Sequence, residues 1–418
     1  MRELLKGIFK GNAALWVVIG ILFSISCILM FSAISSVAHK SANYLDPFYG
    51  HVKHLAFGLV ILILMSRFPY KYLRKLYLIF LPVVIVILFI MPLIGVELNG
   101  GVRAIRIAGF DVQPQEFAKI FIIMLLADIL SIYQKNESES KTYFWIILGT
   151  VALTCLPIAM QNMSTAVMIC MLTFIMMFIG RMERKRMLIL LFSGLFAIAV
   201  IIGTLLLLPD SVNKSLPGHM SSIKGRIENV IEDIQTPDNR KVYTITDENR
   251  QPMHAKIAIA NGRNPSGPGN SIQRDYLPLA FSDYIFAILI EESGIYGAVF
   301  VMTLYLIILF IAGSILKKSK KIYPALLSIG FCTMIVMQAY ISMCVAVGLG
   351  PVTGQPLPLI SRGGTSILST CFMLGVVLSV TNTMAQETMA ENEASENETT
   401  EDNITQNISE SIENEEVM

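Results

Sequence analysis

Polar and charged residues gather at a few places along an otherwise apolar chain, and the richest cluster lies between residues 262 and 284. It contains a glycine-rich stretch, residues 262–271, followed by Gln273, Arg274 and Asp283. Glycine-rich backbone offers N–H donors to an anion, and an arginine adds a fixed positive charge. Asp283 opens a long apolar run, where its carboxylate can stand at the membrane surface and face an external substrate. The cluster therefore combines an anion-binding loop with a candidate catalytic carboxylate.

Both parts of this cluster also have a simpler explanation. Glycine and serine are typical of flexible linkers, and an aspartate at the start of a helix is stabilised by the helix dipole. The position of Asp283 alone leaves the catalytic and the structural interpretations open.

Glu291 and Glu292 lie on the helix that is predicted to follow Asp283. A glutamate pair inside a span could relay protons or bind an ion, and it could equally tie neighbouring helices together. A rotation of about 100° per residue points Glu292 roughly away from Asp283. We favour the structural role for the pair.

A second cluster, residues 99–119, contains Arg103, Glu116 and Lys119. Pro114 suits the first turn of a helix, so Glu116 and Lys119, three residues apart, share one helix face. Ionisable groups inside a membrane are costly and mark functional sites. A mutual ion pair that only fixes the helix explains the same two residues equally well.

Two more clusters lie at residues 161–166 and 351–366. The first, which includes Asn162, is a weak signal, because a polar turn with a serine helix cap would look the same. The prolines and paired glycines of the second predict a tightly turned or re-entrant segment, which needs protein or water over its backbone. Arg362 within it needs an anionic partner or an aqueous cavity, and Gln338 lies in the preceding span.

Long apolar segments must position these clusters. Hydrophobic residues make up 54% and charged residues 15% of the 418 residues, against about 25% charged in an ordinary soluble domain. Crossing a bilayer takes about 20 mostly apolar residues. The candidate spans are 13–35, 52–68, 76–95, 114–133, 143–157, 164–180, 187–208, 283–315, 322–348 and 359–380. The sequence therefore predicts an all-α polytopic membrane protein with about ten transmembrane helices.

The charges are balanced overall but segregated along the chain. The 32 Lys and Arg residues nearly cancel the 31 Asp and Glu residues, and the net charge of +1 excludes a nucleic-acid binder that relies on overall basicity. Lysines and arginines fill alternate connections, which places these connections and both termini in the cytoplasm. The other connections, including a large polar loop at 210–282, are then extracytoplasmic.

The end of the chain differs from the rest in charge. Eleven of the 31 acidic residues lie in residues 383–418, which contain no Lys or Arg, so the remainder has 32 basic against 20 acidic residues. Such a segment cannot bury enough apolar surface to fold. We therefore predict a membrane domain, residues 1–382, and a disordered acidic cytoplasmic tail, residues 383–418.

Taken in order, the clusters resemble the SEDS family of bacterial cell-wall synthases, whose members include FtsW, RodA and SpoVE. The resemblance runs from the first span to about Val380. It rests on Asn99-Gly…Arg103 with Gln113-Pro…Glu116…Lys119, on Gly267-Pro-Gly-Asn-Ser271 to Ser282-Asp283 and Glu291-Glu-x-Gly294, and on the run from Pro351 to Ser366. The Ala-Phe-Ser-Asp and Ser-Arg-Gly-Gly variants are similar to the FtsW branch of Bacteroidota-type bacteria, which indicates a division protein.

The resemblance implies a peptidoglycan glycosyltransferase of the inner membrane, at the division septum. It would polymerise lipid II into β-1,4 glycan strands and release undecaprenyl pyrophosphate. The implied partners are a class B penicillin-binding protein acting as transpeptidase, other divisome proteins and membrane lipid. Asp283 matches the family's general base. The positions that match the family's polar cavity and glycine-rich loop are Arg103, Glu116, Lys119, Gly267, Gly269 and Ser271.

Further residues complete the expected site. We expect Gln273, Arg274 and Arg362 to bind substrate, and we assign structural or relay roles to Asn162, Glu291, Glu292 and Gln338. Negative charge on a leaving pyrophosphate needs cations, which Arg103, Lys119, Arg274 and Arg362 can supply. A divalent cation, Mg²⁺ or Mn²⁺, stays open as a cofactor; the six cysteines lie singly in apolar segments, without the spacing of a metal site.

Some positions depart from the family pattern. Ala104 stands where a Trp is usual, and Asn162 stands where a carboxylate is usual. If that carboxylate normally pairs with the cavity lysine, Lys119 must use Glu116 or a substrate phosphate in this chain. Arg362 stands where a Tyr is common.

Three alternatives stay open. The first is a transporter that flips lipid II or carries a small solute, with Glu116, Lys119, Glu291 and Glu292 as an intramembrane relay. We find no internal repeat of the kind that many secondary transporters have. The second is a non-catalytic scaffold for the transpeptidase, and the third is a RodA-like elongation synthase.

Overall fold

The computed structural model describes residues 10–33, 46–98, 101–107, 110–135, 140–192, 194, 203, 245, 249–277, 281–350 and 353–416. Its elements in chain order are α1 (Ala13–Ala33), α2 (Asp46–Arg67), α3 (Tyr70–Leu73), α4 (Leu76–Ile94), β1 (Val96–Leu98), β2 (Gly101–Ile107), β3 (Phe110–Val112), α5 (Pro114–Tyr133), α6 (Ser140–Gln161), α7 (Met163–Ile179), α8 (Arg250–Asn261), α9 (Ile285–Lys318), α10 (Ile322–Ala346) and α11 (Gly364–Glu416). Residues 184–192 are also helical.

Helices dominate because lipid offers no hydrogen bonds to an open backbone. Within the described residues, seven helices are long and apolar enough to cross a membrane, namely α1, α2, α4, α6, α9, α10 and the first part of α11, and α7 is a shorter apolar helix. The predicted all-α membrane fold is confirmed. Most of the seventh predicted span, 187–208, and of the predicted loop, 210–282, lies outside the described residues.

The helix α5 lies at the centre of the bundle. Nearly all of its side chains are buried, although it carries Glu116, Lys119 and Asp128. It packs against α4, α6, α7, α10 and α11. Buried ionisable groups need partners that replace water, and the neighbouring helices supply them, as described below.

The helices α2 and α11 pack closely along their length. A Cβ atom at Gly58 would lie 2.8 Å from the Cys371 sulfur, and one at Gly375 would lie 2.9 Å from the Leu62 carbonyl oxygen. Small residues allow membrane helices to approach in this way. The contact fixes α11, which begins at Gly364 rather than at residue 359 as predicted, because residues 353–363 form an irregular segment.

Basic connections that lie far apart in the sequence meet at one end of the bundle. The Arg74 guanidinium bonds the Asp128 carboxylate at 2.6 Å and lies over the Tyr323 ring, 5.0 Å from its centroid. Lys321 pairs with Glu387 on α11. This arrangement agrees with the positive-inside rule, which assigns that end to the cytoplasm.

The chain after Thr383 differs from the expected disordered tail, because the backbone of α11 continues as one helix to Glu416. Lys320 and Lys321 pair with Glu391 and Glu387 and hold the first turns beyond the membrane domain. The glutamates and alanines of this segment are also good helix formers. The domain boundary at residue 382 stays a prediction.

A three-stranded antiparallel sheet, in the order β1, β2, β3, lies between α4 and α5 and is absent from the sequence-based expectation. Arg106 on β2 pairs with Asp111 on β3 at 2.9 Å. The Asn99-Gly100 dipeptide is a strong signal for a hairpin turn, so the sequence did contain evidence for this feature. The sheet carries Arg103 on β2 toward the outer end of the bundle.

Candidate active site

Asp283 lies in the turn just before α9, so it precedes the helix instead of opening it as predicted. Its carboxylate is buried, with 5% of the residue exposed, and accepts a hydrogen bond from Ser282 Oγ at 2.9 Å. The segment before α11 clamps this turn. Ser361 Oγ donates to the Ser282 carbonyl oxygen at 2.6 Å, and the Arg362 N–H donates to the Phe281 carbonyl oxygen at 2.9 Å.

The surroundings of Asp283 favour its role as a proton acceptor. Burial raises the pKa of its carboxyl above the ordinary value, while the hydrogen bond from Ser282 and the positive charge of Arg103 lower it. Burial is the largest of the three causes. A carboxylate with a raised pKa is a stronger base than one in water, which is what general-base catalysis needs.

Arg103 lies between two segments of the site. Its Nε donates to the Gln161 carbonyl oxygen at 3.3 Å. Its Nη1 lies so near Gly354 that a Cβ at that position would be 2.5 Å away, and Gly354 also has a φ of +63° that disfavours other residues. The structure therefore places Arg103 beside the 161–165 turn and beside the segment that clamps Asp283.

The predicted pair of Glu116 and Lys119 forms a buried network inside the bundle. Lys119 Nζ bonds Glu116 Oε1 at 2.6 Å and Gln338 Oε1 at 2.9 Å. Ser369 Oγ donates to the other Glu116 oxygen at 2.9 Å. Gln338 Nε2 in turn donates to the Pro356 carbonyl oxygen at 3.0 Å. Because position 162 is Asn in this chain, the sequence analysis expected Lys119 to pair with Glu116 or with a substrate phosphate. The structure shows the pair with Glu116.

Glu291 holds the glycine-rich loop. Its Oε1 accepts a hydrogen bond from Asn261 at 2.8 Å, and its Oε2 accepts bonds from the Ser271 hydroxyl and from the Gln273 N–H. Its carbonyl oxygen also accepts from the Ser266 N–H at 3.1 Å. The positive φ angles of Gly267 and Gly269 make the loop's turns. A structural role for Glu291 would use such contacts, and that role stays a prediction.

Arg274 and Glu292 tie the same loop to α1. Arg274 Nη1 donates to the Ser32 carbonyl oxygen at 3.2 Å and to the Gly269 carbonyl oxygen, and Glu292 accepts from the Ser32 hydroxyl. The Arg274 guanidinium therefore already bonds protein oxygen atoms, although the sequence analysis assigned it to substrate binding. Its substrate-binding role stays a prediction.

Sequence analysis missed two histidines at this end. His254 on α8 bonds the Gln273 side chain at 2.8 Å and stacks on Tyr276. His51 on α2 bonds Ser26 Oγ at 2.7 Å. Neither histidine belongs to a motif that the sequence analysis recognised, so only the tertiary structure reveals these contacts.

The remaining predicted site residues are Asn162 and Arg362. Asn162 Oδ1 accepts from the Thr165 N–H at 3.4 Å and caps α7, so the cap is Asn162 and not a serine. Arg362 is exposed, and its guanidinium lies 5.4 Å from the centroid of the Phe281 ring. No group of three or more His, Cys, Asp or Glu side chains suited to a metal ion occurs within the described residues.

The family model described as "Cell cycle protein", FtsW/RodA/SpoVE, matches residues 11–386. The chain belongs to this family. A relative from Trichlorobacter lovleyi, named "Probable peptidoglycan glycosyltransferase FtsW", is 28% identical over 394 residues, which cover 91% of this chain and 96% of that protein. Stage V sporulation protein E of Bacillus subtilis is 28% identical over 299 residues, which cover 71% and 76%.

Solved structures of the family share this fold. One, described as "Structural coordination of polymerization and crosslinking by a peptidoglycan synthase complex", matches with a TM-score of 0.63 at 20% identity and covers 90% of this chain and 99% of that one. The rod shape determining protein RodA of Thermus thermophilus matches with a TM-score of 0.57 at 19% identity, covering 89% and 96%.

Proposed function

We propose that this protein is a peptidoglycan glycosyltransferase that polymerises lipid II, with Asp283 as its general base. The observation that carries the proposal is the buried Asp283 carboxylate, hydrogen-bonded to Ser282 and beside Arg103, at the outer end of a membrane bundle. The names of its FtsW relatives support the same activity.

In the proposed reaction, Asp283 accepts the proton of the GlcNAc 4-hydroxyl of one lipid II. The oxygen forms a bond to the MurNAc anomeric carbon of the growing chain, and the bond from that carbon to undecaprenyl pyrophosphate breaks. Attack from the opposite face inverts the α-linkage to β. General-base catalysis of this kind contributes about 10²–10⁴-fold. One carboxylate suffices, because pyrophosphate leaves without the protonating acid that a glycoside needs.

Charge on the leaving pyrophosphate needs stabilisation. Protein acceptors bond Lys119 and Arg274, and Arg103 also bonds one, the Gln161 carbonyl oxygen. Arg103 is a candidate because its charge acts on Asp283, and Arg362 is a candidate because it is exposed. A Mg²⁺ or Mn²⁺ ion held largely by the substrate's phosphates stays a prediction, since such ions often take only one or two protein carboxylates.

We further propose that the protein works at the division septum with a class B penicillin-binding protein. The FtsW relatives support the division role, and the structural match to a complex that couples polymerization and crosslinking supports a transpeptidase partner. A RodA-like role in elongation is the alternative, because RodA has the same fold. Depletion of the protein should block septation and leave elongation intact; loss of rod shape without a division block would contradict the assignment.

The transporter alternative has less support. An intramembrane relay needs ionisable groups that can exchange protons or ions, whereas Glu116 and Lys119 bind each other and two further side chains. Glu291 and Glu292 are likewise engaged by the loop and by α1.

Purified protein with its transpeptidase partner should convert lipid II into glycan strands that are resolved by gel electrophoresis. A separate assay should follow lipid II translocation in vesicles. Glycan formation without translocation supports the proposal. Translocation without glycan would overturn it in favour of a flippase, and neither activity would favour a scaffold.

A further inference from the structure

Two buried amide side chains beside Arg103 each leave one polar atom without a partner. Asn162 Nδ2 and Gln355 Oε1 have no hydrogen bond to any described residue, and each residue is only 3% exposed. Buried polar atoms are normally paired, so each exception calls for an explanation. Sequence analysis had assigned no ligand to either residue.

The two amides are joined through Thr165. Asn162 Oδ1 accepts from the Thr165 N–H at 3.4 Å, and Gln355 Nε2 donates to Thr165 Oγ1 at 2.6 Å. Each amide therefore uses one end to bond the same residue and keeps the other end unpaired. What remains unpaired is the NH2 group of Asn162, which has two N–H donors, and the carbonyl acceptor of Gln355.

The residues that carry these two atoms are sequence neighbours of two residues that Arg103 contacts. Arg103 bonds the carbonyl oxygen of Gln161, the neighbour of Asn162, and touches Gly354, the neighbour of Gln355. Arg103 is also the charged group that lowers the pKa of Asp283. A group bound between the two amides would thus stand beside the cation of the site.

The chemical type of the side chain at position 162 determines what it can bind. A carboxylate offers only acceptors, whereas an amide also offers a donor. The cavity lysine does not need residue 162 here, since Lys119 is held by Glu116 and Gln338.

We propose that Asn162 and Gln355 form a subsite for a secondary amide of the substrate, namely the acetamido group of an N-acetylated sugar. A secondary amide presents one carbonyl acceptor and one N–H donor, which complement Asn162 Nδ2 and Gln355 Oε1. The inference rests on the proposed function and adds a specificity determinant to it. The stem peptide of lipid II is the other source of such an amide.

The experiment compares Asn162→Ser with the wild type on three substrates. Serine keeps a cap for α7 and removes the Nδ2 donor. Asn12→Ser is the matched control, because Asn12 Oδ1 caps α1 in the same way, at 3.2 Å from the Leu15 nitrogen, at the cytoplasmic end. The substrates are lipid II, lipid II with one acetamido group replaced by hydroxyl, and lipid II without its stem peptide.

For the wild type and for Asn12→Ser, kcat/KM should fall about tenfold when hydroxyl replaces the acetamido group that binds between Asn162 and Gln355. Asn162→Ser should be about tenfold slower than the wild type on lipid II and lose little more on the acetamido analogue. Gln355→Met should behave like Asn162→Ser. If removal of the stem peptide lowers kcat/KM, it should do so by the same factor in the wild type and in all three variants.

Equal acetamido penalties in the wild type and in Asn162→Ser would overturn the proposal and assign the unpaired atoms to bound water. If the loss of kcat/KM depended on Asn162 for the substrate without its stem peptide but not for the acetamido analogue, the bound amide would be in the stem peptide. That result would overturn the proposal of an acetamido group. If the wild type makes no glycan, the proposed function fails. The subsite is then still tested by the rise in Tm that each substrate gives, which should depend on the acetamido group in the wild type and not in Asn162→Ser.

Discussion

Two buried carboxylates, Glu116 and Asp283, have opposite surroundings. Glu116 has an ion pair with Lys119 and a hydrogen bond from Ser369. Asp283 has a hydrogen bond from Ser282 and forms no ion pair within the described residues. A fully paired carboxylate stabilises the helices that supply its partners, whereas an incompletely paired one keeps the capacity to take a proton. The difference teaches that burial alone does not identify the catalytic base; the state of its partners does.

The largest expected effect is on stability, from the change Lys119→Met. It leaves Glu116 buried without a cation, which costs about 3–5 kcal/mol. The measurement is thermal or denaturant unfolding of the purified protein. The double variant Lys119→Met/Glu116→Gln is the control and should recover part of the loss, because it removes the unpaired charge. If the single variant were as stable as the wild type, the ion pair between Lys119 and Glu116 would not stabilise the helix bundle.

The second prediction concerns pH and Asp283. Burial raises the pKa of this carboxyl, so kcat/KM should fall as the pH drops through the raised value, and the acid limb should lie above 3.8, the ordinary pKa of the group. The measurement is the pH profile of lipid II polymerisation. An acid limb at or below the ordinary value would show that burial does not control this group.

The same pKa shift fixes the sign of a stability effect. Because the folded-state pKa exceeds the unfolded-state pKa, ionised Asp283 disfavours folding, and stability falls as the pH rises from 3.8 through the raised value. Asp283→Asn removes this cost. The Tm of this variant at neutral pH should therefore equal or exceed that of the wild type, and the difference in Tm should become smaller at acidic pH. A lower Tm of the variant at neutral pH would contradict the comparison with Glu116.

The smallest effect is expected at the cytoplasmic end. Lys321 and Glu387 are both partly exposed, and ion pairs of this kind contribute no more than about 1 kcal/mol and weaken with salt. Lys321→Ala should hardly change the unfolding free energy or the rate of polymerisation. A large loss of either would mean that the helical extension of α11 has a role that its exposed contacts do not explain.

Much of the fold follows from the sequence because apolar length is a strong signal in membranes. The predicted span 76–95 coincides with α4, one of the seven helices apolar enough to cross a membrane. The predicted span 114–133 coincides with α5, whose charged residues keep it out of that set, and Pro114 marks its start as expected. The strands were missed because β1 and β3 have only three residues each, and charged residues and glycines interrupt the apolar pattern of the segment. The Asn99-Gly100 dipeptide was the available sign in the sequence.

The site was partly predictable for a different reason. Asp283, Arg103 and the Glu116–Lys119 spacing are visible as residue types in sequence. Their partners Gln161, Gln338 and Ser369 are not, because hydrogen bonds between distant segments leave no local pattern. The unpaired ends of Asn162 and Gln355 could be recognised only after every neighbouring bond was known.

The most direct test of the account is lipid II polymerisation by Asp283→Asn beside Asp111→Asn. Both changes replace an aspartate at the outer end, and Asp111 is paired with Arg106 on the sheet surface. The account predicts that Asp283→Asn loses about 10²–10⁴-fold in rate while keeping its fold, and that Asp111→Asn polymerises like the wild type. Wild-type activity in a folded Asp283→Asn protein would contradict the assignment of the general base.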